Sequence, residues 1–333
     1  MKAIIHIGTQ KTGTTTIQSF LALNRAALSS QGLRVQPMSP RLFAQMELAL
    51  AGVVRAGDTL DSPGKQRAMG VRGTASQRAY VARVESMLRR GAAEWPEATY
   101  LASSEQIHAW CHNRPRIEAL HGFLGSIFDS VRYVVYYRPQ DEFLLSTWSE
   151  SIRRGELKTL DQHIDGMLEP ANFNRRAQMW ASVVGRENLS VRLFDRPLLV
   201  NRDLLGDFCA EVGIDRAPLQ TPADRNPSLS AEEVALAFRL GRYLSPYLPG
   251  GTPNPAYALL SRLMARRLPR PGTRLALTDA QRQRIRSACA ASNEAMRARF
   301  FPDRATLFAE SWELPQAPQP RQAAPRPRPL PGA

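Results

Sequence analysis

Lysine and cysteine are scarce in this chain, and long apolar runs are missing. Of its 333 residues only three are cysteine, Cys111, Cys209 and Cys289. They are widely spaced and form no C-x-x-C pair, so neither a disulfide framework nor a zinc site is indicated. No apolar stretch is long enough to cross a bilayer. Apolar strand residues begin at Ala3, where a secretory leader would place its basic segment, so the expectation is a cytoplasmic protein. Lysine occurs only at Lys2, Lys11, Lys65 and Lys158, and arginine supplies the rest of a net charge of +14. Nucleic acid is the obvious partner for so basic a chain. Yet zinc-finger spacing, an RNP-like aromatic strand and a basic region with heptads are all lacking, so no nucleic-acid partner is indicated. What the chain does have is apolar residues, 43% of the total, enough to bury a full core.

Lys11 stands in the most informative stretch. The apolar run Ala3-Ile4-Ile5-His6-Ile7 enters Gly8-Thr9-Gln10-Lys11-Thr12-Gly13, which opens into a helix at Thr14. A strand, loop and helix of this kind aim successive backbone N–H groups and the positive end of the helix at one point. Lys11 adds a full charge and the threonines add hydroxyl donors, so an anion is expected there. The plainer reading is a threonine-rich helix start with a chance lysine. In the nucleoside triphosphatase loop, G-x-x-x-x-G-K-[ST], lysine follows the second glycine and a hydroxyl holds magnesium. Here Lys11 precedes Gly13.

The segment Lys11-Thr12-Gly13-Thr14-Thr15 resembles the 5′-phosphosulfate loop of sulfotransferases that use 3′-phosphoadenosine 5′-phosphosulfate (PAPS), including the heparan-sulfate type. A second match lies at Val131-Arg132-Tyr133-Val134-Val135-Tyr136-Tyr137-Arg138, which reads as a buried strand ending in arginine. Pro139 then helps start a helix that carries Ser146. In that family an arginine at the end of such a strand, with a serine eight positions later, grips the 3′-phosphate of the cofactor; Arg138 and Ser146 have that spacing. A guanidinium fork and a hydroxyl suit a dianionic phosphate and separate this nucleotide from ATP. The alternative is a salt-bridged arginine and a helix-surface serine.

The resemblance implies an α/β fold of the P-loop-like sulfotransferase type, with a mostly parallel central sheet and helices on both faces. Strands at 98–103, 131–137 and 189–194 alternate with helices at 14–28, 79–88, 116–128, 173–184 and 203–212, in keeping with that class. Ser230/Glu233 and Thr278/Gln281 have capping-box spacing and mark two later helix starts. Residues 1–314 read as one domain. Residues 38–78 read as a variable insertion that helps form the acceptor site, with a helix around 42–51, and 315–333 read as an unfolded Pro/Arg-rich tail.

The resemblance further implies PAPS as sulfonate donor, no metal, and Gln10, Lys11, Thr12, Gly13, Thr14 and Thr15 as the 5′-phosphosulfate cradle, with Lys11 steadying the bridging oxygen. Glu105, just past the 98–103 strand and so at the carboxyl edge of the sheet, is the candidate base, and His108 one helical turn on is the reserve. Their plainer readings are a helix-capping carboxylate and a solvent-exposed imidazole. His6, inside the first strand, reads as a packed, hydrogen-bonded histidine. Thr16 stands where the cytosolic enzymes carry a tryptophan near the adenine, which leans the match towards carbohydrate-acting relatives and a saccharide or glycolipid acceptor. A late Arg-Lys-Gly segment is absent, and Arg225 or an arginine of 239–274 is left to complete the 3′-phosphate site. Between residues 234 and 278 seven arginines meet no acid. That stretch suits a polyanionic saccharide or a membrane surface, or is simply a solvated face. Two other functions stay open, an ATP-dependent phosphotransferase and a basic protein that only holds an anion.

Overall fold

The computed structural model describes residues 1–38, 44–223, 229–248, 252–269 and 271–309. The tail from 315 and Arg225 lie outside them. Five strands, β1 (Lys2–His6), β2 (Leu33–Arg34), β3 (Thr99–Ser103), β4 (Ser130–Tyr137) and β5 (Leu189–Leu193), form one sheet in the order β2-β3-β1-β4-β5. Every pairing is parallel. Parallel strands need crossovers, and helices supply them. In the first half these are α1 (Thr14–Leu23), α2 (Arg25–Ser30), α3 (Met46–Arg55), α4 (Pro63–Met69), α5 (Gly73–Glu94), α6 (Glu105–Trp110) and α7 (Arg114–Gly125). Then come α8 (Gln140–Arg153), α9 (Leu160–Met167), α10 (Phe173–Val184), α11 (Leu204–Val212), α12 (Ala231–Gly241), α13 (Pro255–Ala265) and α14 (Asp279–Phe300). Among the described residues no helix is long and apolar enough to cross a membrane.

Alternation along β4 shows why both faces are covered. Tyr133, Val135 and Tyr137 join a core with Ala3, Ile5, Trp180 and residues of α3, α5, α7, α10 and α14. Val134 and Tyr136 point the other way, into a second core with Ile17 and Phe20 of α1 and Phe208 of α11. The chain leaves β1 towards β2 and β3 on one side and places β4 on the other. The gap beyond the carboxyl ends of β1 and β4 is therefore the topological switch point, where open α/β sheets bind ligands.

Local expectations were met and amended for identifiable reasons. Capping boxes form at Ser230/Glu233 and Thr278/Gln281, and a third forms at Thr159/Gln162. The helix expected over 14–28 breaks at Asn24. That side chain donates to Phe20 O at 2.9 Å and to Gln220 O at 2.9 Å, and its own oxygen accepts from Gln220 N; an asparagine amide competes with the helix backbone in this way. The helix expected around 42–51 is α3, placed over Met46–Arg55, and it is core: Leu48, Ala49, Leu50 and Ala51 are fully buried and pack against α6 and α7. Composition near it is rich in Pro, Gly and charge, yet its apolar positions join the larger of the two cores that cover the sheet.

Glu47 on α3 is buried with its Oε1 accepting from Met38 N at 2.8 Å and its Oε2 without a partner. Burial pushes its carboxyl up to about 7. The unfolded chain titrates it near 4.3, so the folded form keeps a proton that the unfolded form loses between those values. Its contribution is complete below about pH 4 and is lost as pH rises through about 7. Glu47→Gln, which keeps the acceptor, should therefore gain stability over the parent by about 2–3 kcal/mol between about pH 5 and about pH 8. Urea unfolding of both proteins at the two values measures this; parallel pH dependence would contradict the buried-carboxyl account.

Candidate active site

Main-chain bonds fix the loop between β1 and α1. Thr9 N and Thr9 Oγ1 both donate to Tyr136 O at 3.0 Å, and Tyr136 N donates to Gly8 O at 2.7 Å. Thr12, fully buried, donates from Oγ1 to Thr9 O at 2.6 Å. These bonds extend the β1–β4 pairing into the loop and force it to turn sharply. Gly8 has φ +100°, and a Cβ there would stand 2.8 Å from Glu105 Cα. Gly13, at φ +74°, starts α1, and a Cβ on it would run into Leu204. Lys11 is itself left-handed at φ 64°. Such a non-glycine conformation costs energy and persists only where its surroundings impose it. No side chain caps α1, and its first turn carries no acid. The positive end of that helix is thus directed at the loop without a carboxylate to answer it.

Arg138 ties the second element to the first. It follows the last residue of β4, and its Nη1 donates to Lys11 O at 3.1 Å. Its Nε and Nη2 bond Glu142 Oε2, at 2.7 and 2.6 Å, one turn into α8. Lys11 Nζ lies 3.6 Å from Glu150 Oε2 on the same helix. Both cations of the predicted site are therefore held by carboxylates of α8. Burial holds the Lys11 ammonium below the usual lysine value; Glu150 opposes that effect, and Arg153 and Arg138 add to it. These pairs are partly solvated and contribute on the order of 0–1 kcal/mol each. A doubly charged anion competes with them easily.

Arg138 and Ser146 line one cleft of about 840 Å³, with Phe194 and Leu204 among its other walls, within the size range of nucleotide-scale pockets. The loop residues do not line it. Leu204 and Phe194 touch both it and the space beside Gly13, so the cleft and the loop adjoin. Arg196, Arg202 and Arg274 also line it; Arg274 comes from the acid-free region, where an extra arginine was expected. Asp141, Glu142, Asp195 and Asp203 share the walls, so the lining is of mixed charge.

Glu105 opens α6 immediately after β3. Ser104 N donates to His6 O at 2.9 Å, which carries the strand pairing up to that point. The Glu105 carboxylate is bonded by Gln18 Nε2 of α1 at 2.6 Å and by Gln106 Nε2 at 3.3 Å; it is half-buried and packs against the loop at Gly8. His108 is also half-buried, not solvent-exposed, with Nε2 3.3 Å from Tyr137 Oη and its ring edge-on to that tyrosine. Burial, with Arg176 adding, holds it well below the usual histidine value, which makes it a poor proton acceptor. His6 is packed as expected: Nδ1 is 2.8 Å from Ser103 Oγ, and burial brings it down to about 3. Gln10 and Thr15 stand partly or wholly exposed, while Thr12 and Thr14 are buried. Reading the sequence missed Glu150, although Ser146 and Glu150 are four apart and so share a helix face. It also missed Phe194, for which the end of the 189–194 strand was the only signal. Among the described residues no group of three or more His, Cys, Asp or Glu is placed to hold a metal.

No protein-family model matches the chain, and no curated protein matches it. Among solved structures it is similar to a sulfotransferase from Alicyclobacillus acidocaldarius, at 15% identity over 72% of this chain and 92% of that one, with a TM-score of 0.39. It is also similar to the sulfotransferase domain from the curacin biosynthetic pathway, at 14% identity over 87% of this chain and 98% of that one, with a TM-score of 0.40. At such scores the likeness is one of general layout.

The close approach at Gly8 is directly testable. Gly8→Ala should destabilise the protein by about 1–3 kcal/mol, from a left-handed φ and a Cβ forced onto the Glu105 backbone. Chemical denaturation reads the loss; a change below about 0.5 kcal/mol, the scatter of ordinary surface substitutions, would show that the loop is not held this tightly.

Proposed function

We propose that this chain is a PAPS-dependent sulfotransferase, which passes a sulfonate group to a hydroxyl or amine of a saccharide or glycolipid acceptor and releases adenosine 3′,5′-bisphosphate. The observation that carries the reading is the meeting of two anion-binding elements at the switch point. Arg138, more than a hundred residues from the loop in sequence, bonds the loop's Lys11 carbonyl and, with Ser146, lines the adjoining cleft.

The residues fit the group. The backbone of Gln10, Lys11, Thr12, Gly13, Thr14 and Thr15, with the side chains of Gln10, Lys11 and Thr15, would hold the 5′-phosphosulfate end at an uncapped helix start. Arg138 and Ser146 would hold the 3′-phosphate, and the cleft has room for the nucleoside. When bound, PAPS supplies an activated sulfonate with the nucleotide as leaving group. The Lys11 ammonium would stabilise the negative charge that such a transfer leaves on the nucleotide, and preorganised charge of this kind is the main lever on such a reaction. Glu105, oriented by Gln18, takes the acceptor proton. Releasing Lys11 from Glu150 and Arg138 from Glu142 costs little, for the reason given above, so both cations stay available to the nucleotide.

Two substitutions test the assignments. Arg138→Ala should raise the dissociation constant for adenosine 3′,5′-bisphosphate about 10- to 100-fold, the worth of a charged hydrogen-bonded contact, and leave that for adenosine 5′-monophosphate nearly unchanged. An undiminished preference for the bisphosphate, by calorimetric titration, would remove Arg138 from the 3′-phosphate site. Lys11→Ala should abolish PAPS-dependent transfer to a panel of saccharide and glycolipid acceptors with the melting temperature unchanged; parent-like turnover would take Lys11 out of the mechanism.

A further inference from the structure

The arginine-rich stretch without acids takes in α12 from Val234 onward and the whole of α13, and it is where the chain leaves its apolar surface uncovered. Helix α13, PAYALLSRLMA, contains no buried residue. Among the described residues eight large apolar side chains are exposed, and six of them lie here: Tyr243, Tyr247, Leu248, Leu259, Leu260 and Leu263. The turn is built. Tyr247 pairs with Pro253, and Asn254 donates to Ser245 O at 2.8 Å and caps α13 by accepting from Ala256 N. The base of the hairpin is seated, with Pro246 against Gly155 and Leu157 against Gly241.

Helical spacing puts Leu259, Leu260 and Leu263 within one sector of roughly 100°. Arg262, and Arg266 at the C-cap, border that sector on its Leu259 side. Arg239, Arg242, Arg262, Arg266 and Arg267 are all exposed, and none makes an ion pair among the described residues. Leucines bordered by arginines with tyrosines nearby are the side chains of a helix that lies in a bilayer interface. The leucines enter the acyl boundary, the tyrosines sit at headgroup level, and the arginine stems reach up to lipid phosphates. A second copy fits badly, because two such faces would set arginine against arginine with no acid between residues 234 and 278 to answer it. A polyanionic saccharide would engage the arginines and leave the leucines in water. We propose that the α12–α13 hairpin docks this protein on an anionic lipid surface. The inference stands apart from the PAPS reading, and its test involves no nucleotide.

Co-sedimentation of the full chain with phosphatidylcholine vesicles, with and without phosphatidylglycerol, reads the docking. Binding is expected to the vesicles that contain phosphatidylglycerol and not to the others. Leu259→Ser with Leu263→Ser should weaken it about tenfold or more at an unchanged melting temperature, since both side chains are already in water. Arg262→Gln with Arg266→Gln should weaken it as well. Failure to bind anionic vesicles would overturn the proposal, and so would equal binding by the leucine variant, which would leave only bulk charge. A dimer dispersed by the leucine variant would give the face to a second copy. Retention on dextran sulfate without vesicle binding would give it to a saccharide.

Discussion

Everything at this site depends on the hydrogen bonds by which β4 holds the loop after β1. Thr9 gives two donors to Tyr136 O, and Tyr136 N closes the exchange on Gly8 O. Buried backbone groups must be paired, so the loop cannot relax without losing bonds on both sides. Tyr136 is itself anchored: its hydroxyl donates to Asp207 Oδ1 at 2.7 Å, and Arg192 pairs with the same buried carboxylate. The left-handed Lys11, the glycine approach to Glu105 and the uncapped start of α1 all follow from a loop pinned in this way.

Helix α8 is the second determinant. It begins beside Arg138 and presents Glu142, Ser146 and Glu150 at intervals of four, so one face meets both cations and the cleft. Glu142 and Glu150 keep Arg138 and Lys11 extended towards that face. A lysine and an arginine close to one another repel; intervening carboxylates let the chain hold them in place until a stronger anion competes. The result is positioned charge at small cost in stability, which suits the proposed transfer.

Much of this was legible in the residues. The apolar run into Gly8–Gly13, the arginine at the end of the 131–137 strand and the capping-box spacings each rest on a local rule, and local rules survive folding. The break at Asn24 was hidden because its cause, a bond to Gln220, is long-range. Burial of α3 was obscured by the polar composition around it. Glu150 escaped notice because a carboxylate is not expected beside a lysine read as an anion binder. The acid-free arginines were visible in sequence, but the uncovered leucines were not, since apolar spacing alone does not say whether a face meets protein or solvent.

The central claim is that loop and strand-end arginine make one site for a 3′-phosphorylated nucleotide, distinct from a magnesium-dependent triphosphate site. The most direct measurement is a thermal-shift titration of the purified chain with adenosine 3′,5′-bisphosphate, beside ATP and AMP, each with magnesium and with a chelator. Selective stabilisation by the bisphosphate, equal with and without magnesium, is the predicted result. Stronger stabilisation by ATP that depends on magnesium would contradict the account and assign the loop to a phosphotransferase.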